Sequence, residues 1–296
     1  MSVNLLRKYK FEGGITLIQV KNVTKKYGNF KAVDDISFEV KDGEVVGFLG
    51  PNGAGKSTTM NMITGYIDPT QGQIIVNGVD VGKRPRKAKK QIGYMPESVP
   101  LYEELTVKEF VRYMAELKLV KHKDLKEETN KLIEEVGLKE VENKLIRNLS
   151  RGYKQRVSLA GALIGNPDVI ILDEPTVGLD PKQITEIRDL IKKLGKNHTI
   201  ILSSHILSEV SQICEKVIII NKGKIVAIDT PSNLEEKTKS KNTILVTVED
   251  PNNSMESIKN KLKEADEIKL VKDNKDGTKQ YAIVSDTNVD LRKKLF

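Results

Sequence analysis

The sequence is poor in cysteine and contains no long apolar run. Its 296 residues include one cysteine, Cys214, which excludes an intramolecular disulfide and favours a reducing cytoplasm. No apolar stretch approaches the roughly 20 residues that a membrane-spanning helix needs. The segment Met1–Gly14 contains Arg7, Lys8 and Lys10 without an apolar core behind them, so we expect no signal peptide.

The composition is that of a soluble globular protein, with 38% hydrophobic and 30% charged residues. The formal net charge is +8, and part of the excess lies in the cluster Lys83–Lys90 (KRPRKAKK). Such a cluster is compatible with nucleic acid, an anionic membrane surface or water alone as its partner. Because no aromatic residue interleaves with the charges as a base-stacking surface requires, the sequence favours the solvated start of a helix.

A glycine-rich stretch, Gly50–Thr58 (GPNGAGKST), follows the apolar run Val45–Leu49 and precedes a helical pattern. A strand, a G-x-x-x-x-G-K-S loop and a helix form a cradle for phosphate groups, because loop N–H groups and the helix amino end attract an anion. Lys56 is expected to contact the β- and γ-phosphates, and the Ser57 hydroxyl to bind Mg²⁺. The expected nucleotide-binding residues of the loop are Gly50, Asn52, Gly53, Ala54, Gly55, Lys56, Ser57 and Thr58.

Two acidic residues end the continuous apolar run Val169–Leu172. Such a run is typical of a parallel strand that is covered on both faces. At the end of the strand, Asp173 is positioned to hold Mg²⁺, and Glu174 to orient and polarise an attacking water. In a chain that also has a phosphate loop, the pair predicts the hydrolysis of a nucleoside triphosphate.

The order of the remaining patterns predicts an α/β fold. Residues 106–165 carry helical patterns, with expected helix starts at Thr106, Asp124 and Ser150. A hairpin turn is expected at Lys41–Glu44. Further strands are expected at Leu17–Val20, Ile36–Val40, Gln73–Val76, Ile92–Met95, Thr199–Leu202 and Val217–Ile220.

The octapeptide Leu149–Arg156 (LSRGYKQR) completes a set of motifs with the phosphate loop and the Asp-Glu strand. Together they resemble the ABC ATPases, whose signature usually reads LSGGQ. Here Arg151 and Tyr153 depart from that form, while Ser150 and Gly152 remain. The resemblance implies that Ser150 and Gly152 contact the γ-phosphate bound by a second subunit, and therefore that the protein works as a dimer.

Four further residues occupy positions that matter in that family. His205, in Ser203-Ser204-His205, looks like its switch histidine near the γ-phosphate, and Asp180, in Gly178-Leu179-Asp180, resembles its D-loop residue at the dimer interface. Tyr27 lies where the family places an aromatic ring against adenine. Glu97 stands where the Q-loop usually has glutamine, and is expected as a hinge residue and, through its carboxylate, as a metal contact.

The stretches IGYMPE, LSRGYKQR and TVGLDP look most like the ATP-binding subunits of bacterial export-type ABC transporters, the drug, sodium and gliding-motility group. The resemblance implies ATP hydrolysis with ATP and Mg²⁺ as cofactors. It also implies a second nucleotide-binding subunit, in a homo- or heterodimer, and a transmembrane permease that holds the chain at the cytoplasmic face of the cell membrane. No nucleic acid partner is expected. The alternative is a soluble ABC ATPase acting on nucleic acid or ribosomes.

The predicted fold is an α/β phosphate-loop ATPase core with a mixed sheet, an antiparallel β subdomain, an inserted helical subdomain and a small C-terminal α+β appendage. The appendage is expected to contain strands Ile244–Val248 and Gln280–Val284, a helix Met255–Glu264 and the start of a helix at Asp290. Its thin apolar content predicts a unit that is incomplete or that packs on another partner. The predicted boundaries are an N-terminal extension over 1–16, the ATPase domain over 17–235 with its helical subdomain at about 98–165, a polar linker over 236–242 and the appendage over 243–296.

Overall fold

The structure, a computed structural model, describes residues 16–98, 101–239, 241–249, 254–262, 264–274, 277–286 and 291. Its internal contacts divide the chain into two compact units, Met1–Pro231 and Ser232–Phe296. The predicted N-terminal extension lies outside the described residues except for Thr16. Within the described ranges, no helix combines the length and the apolar character needed to cross a lipid bilayer.

The first unit contains ten of the described strands and seven of the described helices. The strands are β1 (Thr16–Tyr27), β2 (Phe30–Lys41), β3 (Val45–Leu49), β4 (Gln71–Val76), β5 (Val79–Asp80), β6 (Ile92–Met95), β7 (Val169–Leu172), β8 (Thr199–Ser204), β9 (Lys216–Asn221) and β10 (Lys224–Asp229). The helices are α1 (Lys56–Ile63), α2 (Pro85–Lys89), α3 (Val107–Leu117), α4 (Leu125–Glu135), α5 (Arg151–Leu163), α6 (Pro181–Gly195) and α7 (Leu207–Val210).

A six-stranded mixed sheet in the order β10-β9-β3-β8-β7-β6 forms the centre of this unit. Five strands are parallel, and β10 pairs with β9 in the antiparallel sense. Strands β3, β7 and β8 are buried along their whole length, as expected of apolar strands covered on both faces. Because parallel strands end at the same edge, the residues that follow β3, β7 and β8 meet there.

A second sheet of the first unit is antiparallel, in the order β2-β1-β4-β5. This is the antiparallel β part that the sequence predicts. The turn at Lys41–Glu44 is present, with the Glu44 N–H donating to Lys41 O at 3.2 Å. It is not a hairpin, because β2 belongs to this sheet and β3 to the six-stranded one. The prediction was wrong because the fully buried β3 needs cover on both faces, whereas β2 is exposed at alternate residues.

Residues 106–165 contain the three predicted helices, α3, α4 and α5. Thr106 and Glu109 form a capping box at the start of α3, in which the Thr106 N–H donates to Glu109 Oε2 at 2.8 Å. Gly137, with a φ of 72°, follows the end of α4. The Ser150 hydroxyl caps α5. The separate helical subdomain at about 98–165 stays a prediction.

The second unit contains an antiparallel sheet in the order β11-β13-β12. Its strands are β11 (Lys241–Glu249), β12 (Glu267–Asp273) and β13 (Thr278–Asp286), and its helices include α8 (Pro231–Lys239), which begins at the boundary, and α9 (Ser254–Lys261). A small core of buried residues holds it together: Ile258, Leu262, Ile268, Tyr281, Ile283 and Leu291. The sequence did not predict β12, whose charged residues interrupt its apolar pattern.

The segment 236–242, predicted to be a linker, consists mainly of regular structure. Helix α8 runs through Lys239, and β11 begins at Lys241. The Glu and Lys residues that make this segment resemble a polar linker are also good helix formers. The domain boundaries at 235 and 243 stay predictions, and the helix start at Asp290 lies outside the described residues.

Gly93 allows β6 to approach the end of α5. A Cβ at this position would lie 2.2 Å from Ala162 O and 3.0 Å from Pro167 Cγ. Because a backbone oxygen cannot rotate away, we expect Gly93→Ala to lower the free energy of unfolding by about 3 kcal/mol, measured by urea denaturation. Gly82→Ala is the control, since its nearest atom is 3.6 Å away, and it should change stability by less than about 0.5 kcal/mol. Equal unfolding midpoints would contradict the expected crowding.

Candidate nucleotide site

The phosphate loop begins where β3 ends. The Gly50 N–H donates to Ser204 O at 3.2 Å, which ties the loop to β8. Gly53 and Gly55 have φ values of 77° and 109°, in a region that glycine adopts at little cost. A Cβ at Gly55 would also lie 2.7 Å from Ala32 O. The loop therefore requires glycine both for its backbone conformation and for its close approach to β2.

Lys56 begins α1, and its side chain is only 6% exposed. Its Nζ donates to Gly50 O at 2.7 Å and to Pro51 O at 3.3 Å. The same ammonium lies 3.2 Å from Glu174 Oε1, and the Glu174 side chain is 7% exposed. Breaking a buried ion pair leaves an uncompensated charge, so Lys56 needs another anion whenever Glu174 releases it. A phosphate group in the loop would supply that anion.

Asp173 and Glu174 are buried at the end of β7 and share Ser203 of β8 as a partner. Ser203 Oγ donates to Asp173 Oδ1 at 2.5 Å and accepts a hydrogen bond from the Glu174 N–H at 2.8 Å. Glu174 has a φ of 48°, in the left-handed region that residues other than glycine seldom adopt. Glu174, the residue predicted to activate water, is therefore one of the described non-glycine residues that carry backbone strain.

His205 follows β8 and contacts the second carboxylate oxygen of Glu174. Its Nδ1 lies 3.1 Å from Glu174 Oε2, and its side chain is 43% exposed. Glu174 thus contacts Lys56 through one oxygen and His205 through the other. Residues from three separate sequence motifs meet at this single carboxylate.

These residues border a cavity of about 610 Å³. Gly50, Ala54 and Asp173 are buried and do not line it. The predicted residues in its lining are Tyr27, Asn52, Gly53, Gly55, Lys56, Ser57, Thr58, Glu97, Glu174 and His205.

Three residues that the sequence analysis missed also line the cavity: Phe30, Ala32 and Val177. Phe30 is 65% exposed and pairs with Tyr27 across the turn between β1 and β2. The Lys25 ammonium lies 5.3 Å from the centroid of the Tyr27 ring, which is a cation–π contact. Two exposed aromatic residues that flank a short turn were the available sequence signal.

Glu97 lines the cavity beyond the end of β6, near Tyr94. The Tyr94 hydroxyl donates to Asn61 Oδ1 at 3.1 Å and ties β6 to α1. Burial raises the pKa of Tyr94 to about 12, and the charges of Asp173 and Glu97 act in the same direction. Tyr94 therefore remains a neutral hydrogen-bond donor at physiological pH.

Ser150, Gly152 and Asp180 are not part of this cavity. They line a second cavity of about 280 Å³ at the amino ends of α5 and α6. Asp180 Oδ1 accepts a hydrogen bond from the Gln183 N–H at 2.9 Å and so caps α6. Within one chain, the predicted site is therefore divided between two separate cavities.

Helix α5 holds the segment that leads from Glu174 to α6. Gln155 Nε2 donates to Pro175 O at 2.8 Å, just after the catalytic candidate. Arg156 forms an ion pair with Glu186 in the second turn of α6, with Nη2 2.8 Å from Oε2. Helix α5 thus contacts the start of this segment at Pro175 and, beyond the segment, α6 at Glu186.

Two glycines allow closer contacts between the same elements. The Arg151 guanidinium lies against Gly178, where a Cβ would be 2.3 Å from Arg151 Cζ. In the other direction, the Gln183 side chain covers Gly152, where a Cβ would be 2.9 Å from Gln183 Cδ. Arg151, a departure from the usual signature, thus contacts the stretch that resembles the D-loop.

Ser203→Ala removes the hydroxyl that holds both acids. It leaves the buried Glu174 N–H without this acceptor and Asp173 without this donor, so we expect the free energy of unfolding to fall by about 1–3 kcal/mol. Chemical denaturation measures the loss. The exposed Ser208→Ala is the control, and should be within about 0.5 kcal/mol of the wild type. An unchanged free energy of unfolding in Ser203→Ala would show that the two hydrogen bonds do not stabilise the fold.

Comparison with known sequences agrees with this geometry. The ABC transporter family profile matches residues 33–177. Linearmycin resistance ATP-binding protein LnrL of Bacillus subtilis is 37% identical, with 78% of this chain and 75% of that protein covered. Bacitracin transport ATP-binding protein BcrA of Bacillus licheniformis is 43% identical, and the match covers 71% of this chain and 68% of that protein. The match to the probable multidrug ABC transporter ATP-binding protein YbhF of Escherichia coli is 37% identical and covers 76% of this chain but 39% of that protein.

Solved structures of ABC ATP-binding proteins share the fold. An ATP binding subunit of an ABC transporter is 32% identical, with a TM-score of 0.67, covering 75% of this chain and 93% of that chain. The ATP-binding cassette MJ0796, in the dimeric structure of a post-hydrolysis state bound to ADP and Pi, is 27% identical with a TM-score of 0.66. The match covers 73% of this chain and 99% of that chain. The predicted family and fold class are confirmed: the chain belongs to the ABC transporter family, as an ATP-binding subunit of the export-type group.

Proposed function

We propose that this chain and a second nucleotide-binding subunit close around two MgATP molecules. Each ATP would lie between the phosphate loop of one subunit and the amino end of α5 of the other. The observation that supports this most directly is the placement of Lys56 and Ser150 in separate cavities of one chain. A helix amino end that carries a hydroxyl and a glycine is suited to an anion, which a second subunit would bring.

The oxygen donors around the loop fit Mg²⁺. Ser57 and Glu97 line the main cavity, and Asp173 is buried beside Glu174. Mg²⁺ prefers oxygen ligands and is usually held by one or two carboxylates together with substrate phosphates. This small protein contribution is consistent with the absence, among the described residues, of any group of three or more clustered metal ligands. Bound there, Mg²⁺ would neutralise phosphate charge during hydrolysis.

Glu174 is the proposed general base. In the structure its carboxylate is engaged by Lys56 and His205. When a γ-phosphate takes over Lys56, one oxygen of Glu174 becomes available to accept a proton from the attacking water. The water oxygen then forms a bond to the γ-phosphorus as the bond to the β-phosphate oxygen breaks, and ADP leaves with that electron pair. His205 keeps the carboxylate oriented and reaches the same phosphate.

The closing motion of the dimer would be transmitted to a transmembrane permease, which also holds the chain at the cytoplasmic face of the membrane. The segment Leu101–Glu104, which follows Glu97 and is exposed from Tyr102 onward, is the proposed contact. Tyr102 in this segment is 50% exposed and packs edge-on against Tyr113, with the two ring centroids 5.4 Å apart. LnrL is named for linearmycin resistance and BcrA for bacitracin transport. We therefore propose that ATP hydrolysis by this chain drives the export of a small molecule.

Glu174→Gln removes the base but keeps the shape of the side chain. We expect ATP turnover to fall by about 100-fold or more, because an amide does not accept the proton of water. We also expect a stable ATP-dependent dimer in size-exclusion chromatography. Glu116→Gln, a change at an exposed ion pair with Arg112, is the control and should retain full turnover. Unchanged turnover in Glu174→Gln would remove Glu174 from the proposed role.

Mixing two inactive variants tests whether the site is shared between subunits. Lys56→Ala removes the phosphate charge partner, and Ser150→Asp keeps a good helix cap while it repels the γ-phosphate. A dimer of one variant with the other contains one intact site and one doubly damaged site. For independent sites in a homodimer, the mixture should therefore recover about a quarter of the wild-type turnover per chain. No recovery, with dimers still forming, would show that both residues act on the same ATP within one chain.

A further inference from the structure

The cluster Lys83–Lys90 has no part in the nucleotide site. Its six basic residues are accompanied by no acidic residue. The chain has 49 basic and 41 acidic residues, so these six positions supply most of the net charge of +8. The basic residues, all of them exposed, are Lys83, Arg84, Arg86, Lys87, Lys89 and Lys90.

The fold holds these charges close together. Helix α2 has proline at its first position, and its Ala88 is fully buried, which fixes the helix on the first unit. Its first turn contains no acidic residue, and Arg86 and Lys90 are at the spacing where like charges repel. An ion pair between the exposed Lys83 and the partly buried Asp80, with Nζ 3.6 Å from Oδ2, offsets one charge at the edge of the cluster. An external anion would relieve this repulsion.

An exposed aromatic residue lies beside the cluster. Tyr66 is 77% exposed and follows Gly65, where a Cβ would lie 3.5 Å from Lys89 Cε. Tyr66 also lies close enough to Tyr94 to help raise its pKa, as Glu97 does. The basic helix and Tyr66 therefore adjoin β6, the strand that leads to Glu97 and to the proposed permease contact.

We propose that this basic face, Lys83–Lys90 with Tyr66, binds anionic lipid headgroups beside the permease. Exposed lysines and arginines on and around a five-residue helix suit a diffuse anionic surface, which requires no fixed geometry. Tyrosine favours the boundary between water and lipid, because its ring is apolar and its hydroxyl is polar. Nucleic acid is disfavoured because a single tyrosine at the side of the cluster does not form the interleaved stacking surface that bases require. The proposal relies on the proposed function only for the nearness of a membrane.

Vesicle co-sedimentation of the purified full chain tests the proposal. We expect binding to phosphatidylcholine vesicles that contain phosphatidylglycerol, little binding to phosphatidylcholine alone, and weaker binding as salt is raised. Each basic residue near an anionic surface contributes roughly fivefold, so Lys87→Ala/Lys89→Ala/Lys90→Ala should lower the partition coefficient by about 100-fold. Tyr66→Ala should weaken binding without changing its salt dependence.

The matched control removes the same charge elsewhere. Lys192→Ala/Lys193→Ala/Lys196→Ala changes three exposed lysines at the end of α6 and should leave vesicle binding nearly unchanged. An equal loss in both triple variants would show that net charge alone attracts the chain, and would overturn the proposal. So would salt-sensitive binding to duplex DNA that is tighter than binding to the vesicles. Both triple variants should keep wild-type ATP turnover, whereas Glu174→Gln should bind vesicles normally, which separates this proposal from the proposed ATPase chemistry.

Discussion

Parallel pairing of β3 with β8, and of β8 with β7, is the constraint on which the nucleotide site depends. The register sets Leu49 opposite Ser204 and Leu172 opposite Leu202. The loop, the two acids and His205 therefore leave the sheet side by side, although more than a hundred residues separate the loop from the acids in the chain. All three strands are buried along their whole length, and the register of their parallel pairing sets the positions of the polar residues that follow them.

The nucleotide site also depends on charge compensation between two buried side chains. Lys56 and Glu174 are both nearly inaccessible to water, and each stabilises the other. Such a pair contributes little net stability, because desolvation opposes the attraction between the charges. The pair keeps both side chains inside the site while no phosphate is bound. When a phosphate replaces Glu174 as the partner of Lys56, the ammonium stays compensated, and His205 still contacts the Glu174 carboxylate.

The parts of the site that follow short-range rules could be predicted from the sequence. The phosphate loop has a fixed spacing, Thr106 and Ser150 precede helical patterns, and Asp173-Glu174 ends an apolar run. What failed depends on distant partners. The turn at Lys41–Glu44 resembles a hairpin locally, yet its strands pair in different sheets. Ser203 holds two acids from a neighbouring strand, and no local pattern marks that role. The α8 and β12 segments were missed because their charged residues conceal their regular structure.

The contact of Arg151 with Gly178 gives the altered signature a structural meaning. The backbone at 178, with a φ of 71°, favours glycine, and the missing side chain leaves room that the guanidinium fills. A larger residue at 178 would expel Arg151, and a smaller residue at 151 would leave the space open to solvent. Because the backbone at 178 favours glycine whatever residue stands at 151, the space beside it remains when the signature has its usual glycine. The segment after the acids then lacks the contact with Arg151 and must be held by other side chains.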